Sequence, residues 1–223
     1  MKSPLVLFSA GLDSAVLLAD AASRYGSAQP VYVSVGLAWE AQERAMAELF
    51  VAALPARGRI LPVAQLSLDM RDIYPPTHWA VRGEAPGFDT PDADVYLEGR
   101  NLILLSKAAV FAARARLSPI LIGPLAGNPF PDARPVFFET MAQALSLGLA
   151  TELKIDAPFL AMAKEDVIRL GQSLEVPFEL TLSCMQPVNG MHCGRCSKCR
   201  ERRDAFRATA IEDPAPYAAP PVR

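Results

Sequence analysis

The stretch Leu5-Val6-Leu7-Phe8-Ser9-Ala10-Gly11-Leu12-Asp13-Ser14 decides how this chain is read. Leu5 to Ser9 is an apolar run without alternation, the pattern of a strand buried on both faces of a parallel sheet. Asp13 to Tyr25 follows, with Val16, Leu17, Ala19 and Ala21 apolar, and reads as a helix closing near Gly26. Small residues between strand and helix let the backbone approach a ligand. The helix N-terminus offers free N–H groups and partial positive charge, which suits a phosphate. Ser9 and Ser14 add hydroxyls, and Asp13 suits either a magnesium ion bridging phosphates or the helix cap. A tight, well-capped turn without a ligand reads equally from these residues. The stretch is neither a Walker A sequence nor a dinucleotide fingerprint, because the lysine and the glycine spacing are absent.

Outward from this stretch, Pro30–Val35, Ile60–Leu66 and Pro119–Gly123 read as strands. Glu40–Ala53 reads as an amphipathic helix, with Met46, Leu49 and Phe50 on one side and Glu40, Glu43, Arg44 and Glu48 on the other. Arg100–Arg116, Pro135–Leu147 and Lys164–Leu174 read as further helices. This alternation predicts an α/β fold with a doubly wound parallel sheet. Two segments break the rhythm. Asp69–Glu98 holds Pro75, Pro76, Pro86 and Pro91, a length that marks either a functional loop, such as a lid, or a partly disordered one. The second begins near Thr181 and carries every cysteine, so the expected division is 1–180 and 181–223. The tail from Asp213, with Pro214, Pro216, Pro220 and Pro221, is expected to be extended or loose.

Of 223 residues 51% are apolar, enough for a full core. A net charge of −2 argues against a nucleic-acid backbone as the main partner. The longest uncharged stretches are broken by Gly, Pro and Ser, so no membrane span is expected. Met1-Lys2-Ser3-Pro4 carries no signal-peptide pattern, which predicts a cytoplasmic protein with reduced thiols.

The cysteines therefore need a role other than disulfides. They read Cys184-x8-Cys193-x2-Cys196-x2-Cys199, with Gly190 and Gly194 supplying turns. Two-residue gaps bring thiolates to one side of a knuckle, and four thiolates make a closed structural zinc site. An iron–sulfur cluster is the rival, although the Cys-Pro usual in ferredoxins is missing. His192 reads as a neighbour of the site or as a substitute ligand. Arg195, Lys198, Arg200, Arg202, Arg203 and Arg207 either offset the thiolate charge or form a solvated helix face.

Phe8–Ser14 resembles the Ser-Gly-Gly-x-Asp-Ser loop of the PP-loop ATP pyrophosphatases, with Ala10 at the first glycine. Alanine fits there at negative φ and is strained otherwise. Joined to a four-cysteine knuckle, the loop resembles the 7-cyano-7-deazaguanine synthase family along most of the chain. Gly99-Arg100-Asn101, Ile120-Leu121-Ile122-Gly123, Pro131-Asp132, Ala157-Pro158-Phe159 with Lys164-Glu165, Thr181–Cys184, His192–Cys199 and Asp213-Pro214 with Tyr217 carry that resemblance. The chain departs from the family at three places. Val35-Gly36-Leu37-Ala38-Trp39 replaces Tyr-Gly-Gln-Arg-His. Gly127-Asn128-Pro129-Phe130-Pro131-Asp132-Ala133 replaces Ser-Gly-Tyr-Pro-Asp-Cys. Met185 replaces the tyrosine after the first cysteine. These changes fall where a small polar substrate would be read.

The resemblance implies an adenine nucleotide alpha hydrolase-like fold and an ATP-dependent carbon–nitrogen ligase of queuosine biosynthesis. It implies ATP, magnesium and zinc as cofactors, a carboxylated deazapurine and ammonia as substrates, and a homodimer. The implied nucleotide-binding set is Phe8, Ser9, Ala10, Gly11, Leu12, Asp13, Ser14, Ala15, Val16, Leu17, Leu18, Arg100, Asn101 and Gly123. The implied catalytic set is Asp13, Ser14, Arg100, Asp132 and Lys164, and the metal set is Cys184, Cys193, Cys196 and Cys199. His78 and Trp79 are candidates to face a planar base or to pack within their loop. The alternatives are an amidating ligase for another carboxylate, a tRNA-modifying enzyme and a non-catalytic ATP-fold binding protein.

Overall fold

Leu5–Leu7 forms β1, buried throughout. A computed structural model describes residues 2–55 and 58–219 of the chain; Pro220 and Pro221 of the tail lie outside them. β1 is the centre of the sheet because its side chains feed both cores. Val6 packs with α1 (Leu12–Tyr25), α2 (Glu40–Ala53) and α6 (Lys164–Ser173). Leu5 and Leu7 pack on the other face with α4 (Arg100–Ala115) and α5 (Pro135–Leu149). Helices therefore cover both faces, as the alternating pattern predicts.

β1 pairs on one side with β2 (Ser27–Ser34), placing Val6 opposite Pro30. On the other side it pairs with β5 (Ile120–Leu121), placing Val6 opposite Leu121. β6 (Ile155–Asp156) follows β5. The outer edge of β2 pairs with β3 (Arg59–Ile60) near its start and β4 (Ala64–Ser67) near its end. All these pairings are parallel. The chain leaves β1 toward β2 and returns as β5 on the opposite side. This switch point opens a crevice at the carboxyl ends of β1 and β5.

Three expectations need correction. The single strand over Ile60–Leu66 is two short strands, because Pro62 between them lacks the N–H that a ladder needs. β6 has no counterpart among the expected strands, since two residues carry no periodicity. The helix α2 turns Glu40, Glu43, Ala47 and Phe50 inward and leaves Leu49 exposed. The carboxylates tolerate burial because donors meet them. Glu40 accepts from Ser34 Oγ and from the N–H groups of Val35 and Gly36. Glu43 accepts from Tyr32 Oη and Trp39 Nε1.

The Asp69–Glu98 segment is an ordered cover. It holds α3 (Trp79–Arg82) and is tied down by Tyr74 Oη donating to the Glu98 carbonyl at 2.7 Å. The tail to residue 219 is extended and held rather than loose. Arg202, fully buried, pairs with Asp213 at 2.9 Å, and Tyr217 Oη donates to Asp213 at 2.6 Å.

Candidate active site

The crevice is a cavity of about 340 Å3 bordered by Ser9, Gly11, Asp13 and Ser14 at one end. The helix α1 opens there with Gly11 as its N-cap, and no side chain caps it. Asp13 is therefore not the cap. Ser14 Oγ donates to the Gly11 carbonyl at 3.0 Å and accepts from Ser9 N at 3.3 Å, which fixes the loop from within. Ala10 has φ +59, the left-handed region, so the strain its side chain implied is present. Its carbonyl accepts from Leu182 N at 2.8 Å, which ties the loop to the cysteine-bearing segment.

Lys164, the first residue of α6, reaches back across the fold. Its Nζ lies 3.1 Å from Asp13 Oδ2 and also pairs with Glu201 of α7 (Ser197–Thr209). Glu201 takes Lys198 at 2.7 Å. Burial pushes the Lys164 ammonium down, but Asp13 and Glu201 outweigh it and hold it above the usual range. Burial likewise raises Glu201, and Lys164 and Lys198 reverse this to bring it down to about 2. Gly171 sets the packing behind this contact: a Cβ there would lie 2.6 Å from Phe178 Cζ and 2.7 Å from Val16 Cγ2.

The opposite end of the cavity is aromatic and acidic. Arg100 and Asn101 stand at the start of α4, where Asn101 N donates to Asp132 Oδ2 at 3.1 Å. Asp132 is buried, and desolvation raises it despite that hydrogen bond. Of the buried polar atoms without a partner among the described residues, Asp13 Oδ1, Arg100 Nε and Asp132 Oδ1 belong to residues that line this cavity, whereas Gln42 Oε1, His192 Nδ1 and Ser197 Oγ do not. Buried polar atoms are rarely left unpaired in a native fold, so the three in the cavity mark where a polar ligand fits. Tyr32, Trp39 and Glu43 complete this wall, with Trp39 stacked on Trp79 at 5.8 Å. Burial lifts Glu43 to about 7. His78 faces away from this role: its Nδ1 accepts from Ala80 N at 3.2 Å and caps α3.

The cysteines converge as their spacing predicts. All four are buried, and their sulfurs lie within 4.8 Å of one another. The pairs 184–196, 193–199 and 196–199 are 3.9, 3.8 and 3.5 Å apart. A tetrahedron with metal–sulfur bonds of about 2.3 Å requires sulfurs about 3.8 Å apart, so the set fits zinc. A disulfide would need about 2.05 Å, and a multi-iron cluster would spread the sulfurs further. N–H groups of Gln186 and Cys193 point at Cys184 Sγ, at 3.3 and 3.2 Å. Such donors stabilise a thiolate. His192 is not a ligand: its Nε2 accepts from Ser183 N at 3.1 Å and its ring packs against Tyr217. The basic cluster is dispersed. Arg200 donates to the Phe88 and Thr90 carbonyls, Arg203 to those of Gly194 and Ala219, and Arg207 pairs with Asp204.

The fold thus brings Phe8, Ser9, Gly11, Leu12, Asp13, Ser14, Arg100, Asn101, Gly123, Asp132 and Lys164 to one cavity. Ala10, Ala15, Val16, Leu17 and Leu18 are not in its lining, and their side chains are fully buried in the core behind the loop. Tyr32, Glu43 and Glu201 line it without a sequence signal, because each reads locally as strand or helix; Ser183 and Lys198 line it too, although the sequence placed them only in the cysteine segment and its basic cluster.

A parallel doubly wound sheet, a PP-loop-like turn at its switch point and a four-cysteine centre define a PP-loop α/β protein. The chain belongs to the family described as queuosine biosynthesis protein QueC, whose model matches residues 3–210. It is 34% identical over 230 residues to a 7-cyano-7-deazaguanine synthase of Methanoculleus marisnigri, covering 97% of this chain and 99% of that one. It is 34% identical over 226 residues to the synthase of the same name from Anaeromyxobacter dehalogenans, covering 97% and 96%.

Proposed function

We propose that this chain makes 7-cyano-7-deazaguanine from 7-carboxy-7-deazaguanine and ammonia at the expense of ATP. The observation that carries the reading is the single cavity holding both the α1 N-terminus with Asp13 and Lys164, and the start of α4 with Arg100 and Asp132. The first end suits a triphosphate. The second suits a small polar heterocycle between aromatic walls. The carboxylate oxygen attacks the α-phosphorus of ATP, and pyrophosphate leaves. Ammonia attacks the acyl carbon, AMP leaves and an amide remains. The amide oxygen then attacks the α-phosphorus of a second ATP, pyrophosphate leaves, and loss of AMP with both amide protons leaves the nitrile. Lys164 and Arg100 neutralise charge moving onto phosphate oxygens, and Asp132 orients the substrate amine. Asp13 Oδ1, buried without a partner, is the natural magnesium ligand. Zinc on the four cysteines staples the C-terminal segment.

A second reading, an amidating ligase for another carboxylate, is favoured by the stretch Val35–Trp39, which stands where the family is polar and whose Trp39 stacks on Trp79 and donates to Glu43. A tRNA thiolation role loses support because all four cysteines are engaged with one another. No helix among the described residues is long and apolar enough to cross a membrane. We place the enzyme in the cytoplasm and expect it to be a homodimer, as the family resemblance implies.

The test is incubation of zinc-loaded protein with ATP, magnesium, ammonium and 7-carboxy-7-deazaguanine, followed by mass analysis. The nitrile is expected. An amide as the end product supports the ligase reading instead, and unconsumed deazaguanine with ATP turnover on another acid overturns the assignment.

A further inference from the structure

Lys198 stands in the last two-residue gap of the knuckle, between Cys196 and Cys199. Its Nζ lies 2.7 Å from Glu201 Oε2 and 3.4 Å from Asp92 Oδ1 of the covering loop. Glu201 also holds Lys164, which holds Asp13. Lys198 borders the same cavity as the α1 N-terminus, and its side chain is 27% exposed against 13% for Lys164. The knuckle therefore reaches the phosphate end through a relay of four charged side chains.

We propose that Lys198 is a phosphate-binding residue of the nucleotide site, positioned by the metal knuckle on either side of it. The inference rests on the reading that this cavity takes ATP. Two ammonium groups here are matched by the carboxylates of Asp13, Glu201 and Asp92, so the side chains at this end offer no surplus cation. A polyphosphate entering it needs cations that can leave a carboxylate. Lys164 is the more enclosed and is gripped from two helices. Lys198 has the freer stem, and its second partner, Asp92, is 44% exposed and at the longer distance. Turning from Asp92 to the phosphate exchanges a screened surface contact for a charge-assisted bond in the cavity. The backbone of Lys198 is held by metal-ligating neighbours, so metal occupancy fixes where the side chain starts. By linkage, bound nucleotide then strengthens retention of the metal.

The test compares wild type, Lys198→Met and Lys198→Arg, each with metal content measured. ATP binding is read by calorimetry at two salt concentrations. Lys198→Met is expected to bind ATP about tenfold more weakly, with a shallower salt dependence and unchanged metal content. Lys198→Arg is expected to retain most of the affinity. ATP should slow removal of the metal by a chelator in wild type and lose that effect in Lys198→Met. Equal ATP affinity in wild type and Lys198→Met overturns the proposal. Absence of ATP binding in wild type overturns the ATP reading together with it, and the two failures are distinct.

Discussion

Lys164 Nζ lies 3.1 Å from Asp13 Oδ2, although 151 residues separate them in the chain. This contact joins the start of α6 to the loop after β1, and Glu201 joins α7 to both. Lys164→Met leaves the enclosed Asp13 carboxylate without its cation, beside a Glu201 that keeps only Lys198. Removing one partner of such a pair costs about 3 kcal/mol. Urea denaturation should show that loss, and turnover should fall at least about a hundredfold if, as proposed, the same ammonium meets the phosphates. Wild-type stability in Lys164→Met would contradict the structural assignment.

Gly171 permits the close approach of α6 to α1 that brings Lys164 to Asp13. Alanine there has no room beside Phe178 and Val16, and overpacking of this kind costs roughly 1–3 kcal/mol. Gly171→Ala should lower the denaturation midpoint and reduce turnover together, because the lysine shifts with its helix.

Glu43 gives a pH signature. Burial lifts its carboxyl from 4.5 to about 7, so the folded state holds a proton that the unfolded chain releases. The protonated form's stabilisation is complete below about 4.5 and is lost as pH rises through 7. Above that range both states are ionised and the effect levels off. Glu43→Gln keeps the shape without the titration. Its stability relative to wild type should rise between pH 5 and pH 7.5 by roughly 2 kcal/mol, most of the shift. A flat difference across that range, measured by denaturation at several pH values, would exclude it.

Ala10 sits at φ +59, where a side chain costs roughly 1 kcal/mol. Ala10→Gly removes that cost and restores the glycine that PP-loop sequences carry. The melting temperature should rise by about 2–4 °C. A fall would mean that the Ala10 methyl contributes more by packing in the core than it costs in the backbone.

Zinc should be found at one ion per chain, and replacing Cys196 with serine should abolish it. The knuckle is bound to the rest of the fold by the Leu182–Ala10 hydrogen bond and the buried Arg202–Asp213 pair. Chelation should therefore speed amide exchange across 181–219 first, while β1 and α1 stay protected. Uniform loss of protection would show that the centre stabilises the whole domain.

The sequence by itself determined the layered α/β fold, since an unalternating run such as Leu5–Leu7 only suits a strand covered on both sides. The convergence of Cys193, Cys196 and Cys199 was legible too, because local spacing lets one turn of backbone bring them together, whereas Cys184 joins them from nine residues earlier. The loop after β1 was legible for the same reason: its chemistry lies in neighbouring residues. Only the tertiary structure decided what faces that loop. Lys164, Lys198 and Glu201 arrive from helices far along the chain, and no local period records their meeting. Glu40 and Glu43 mislead a helical reading because charge normally marks the solvent side. Donors from β2 and Trp39 reverse that rule, and those donors exist only once the strand and the helix have packed.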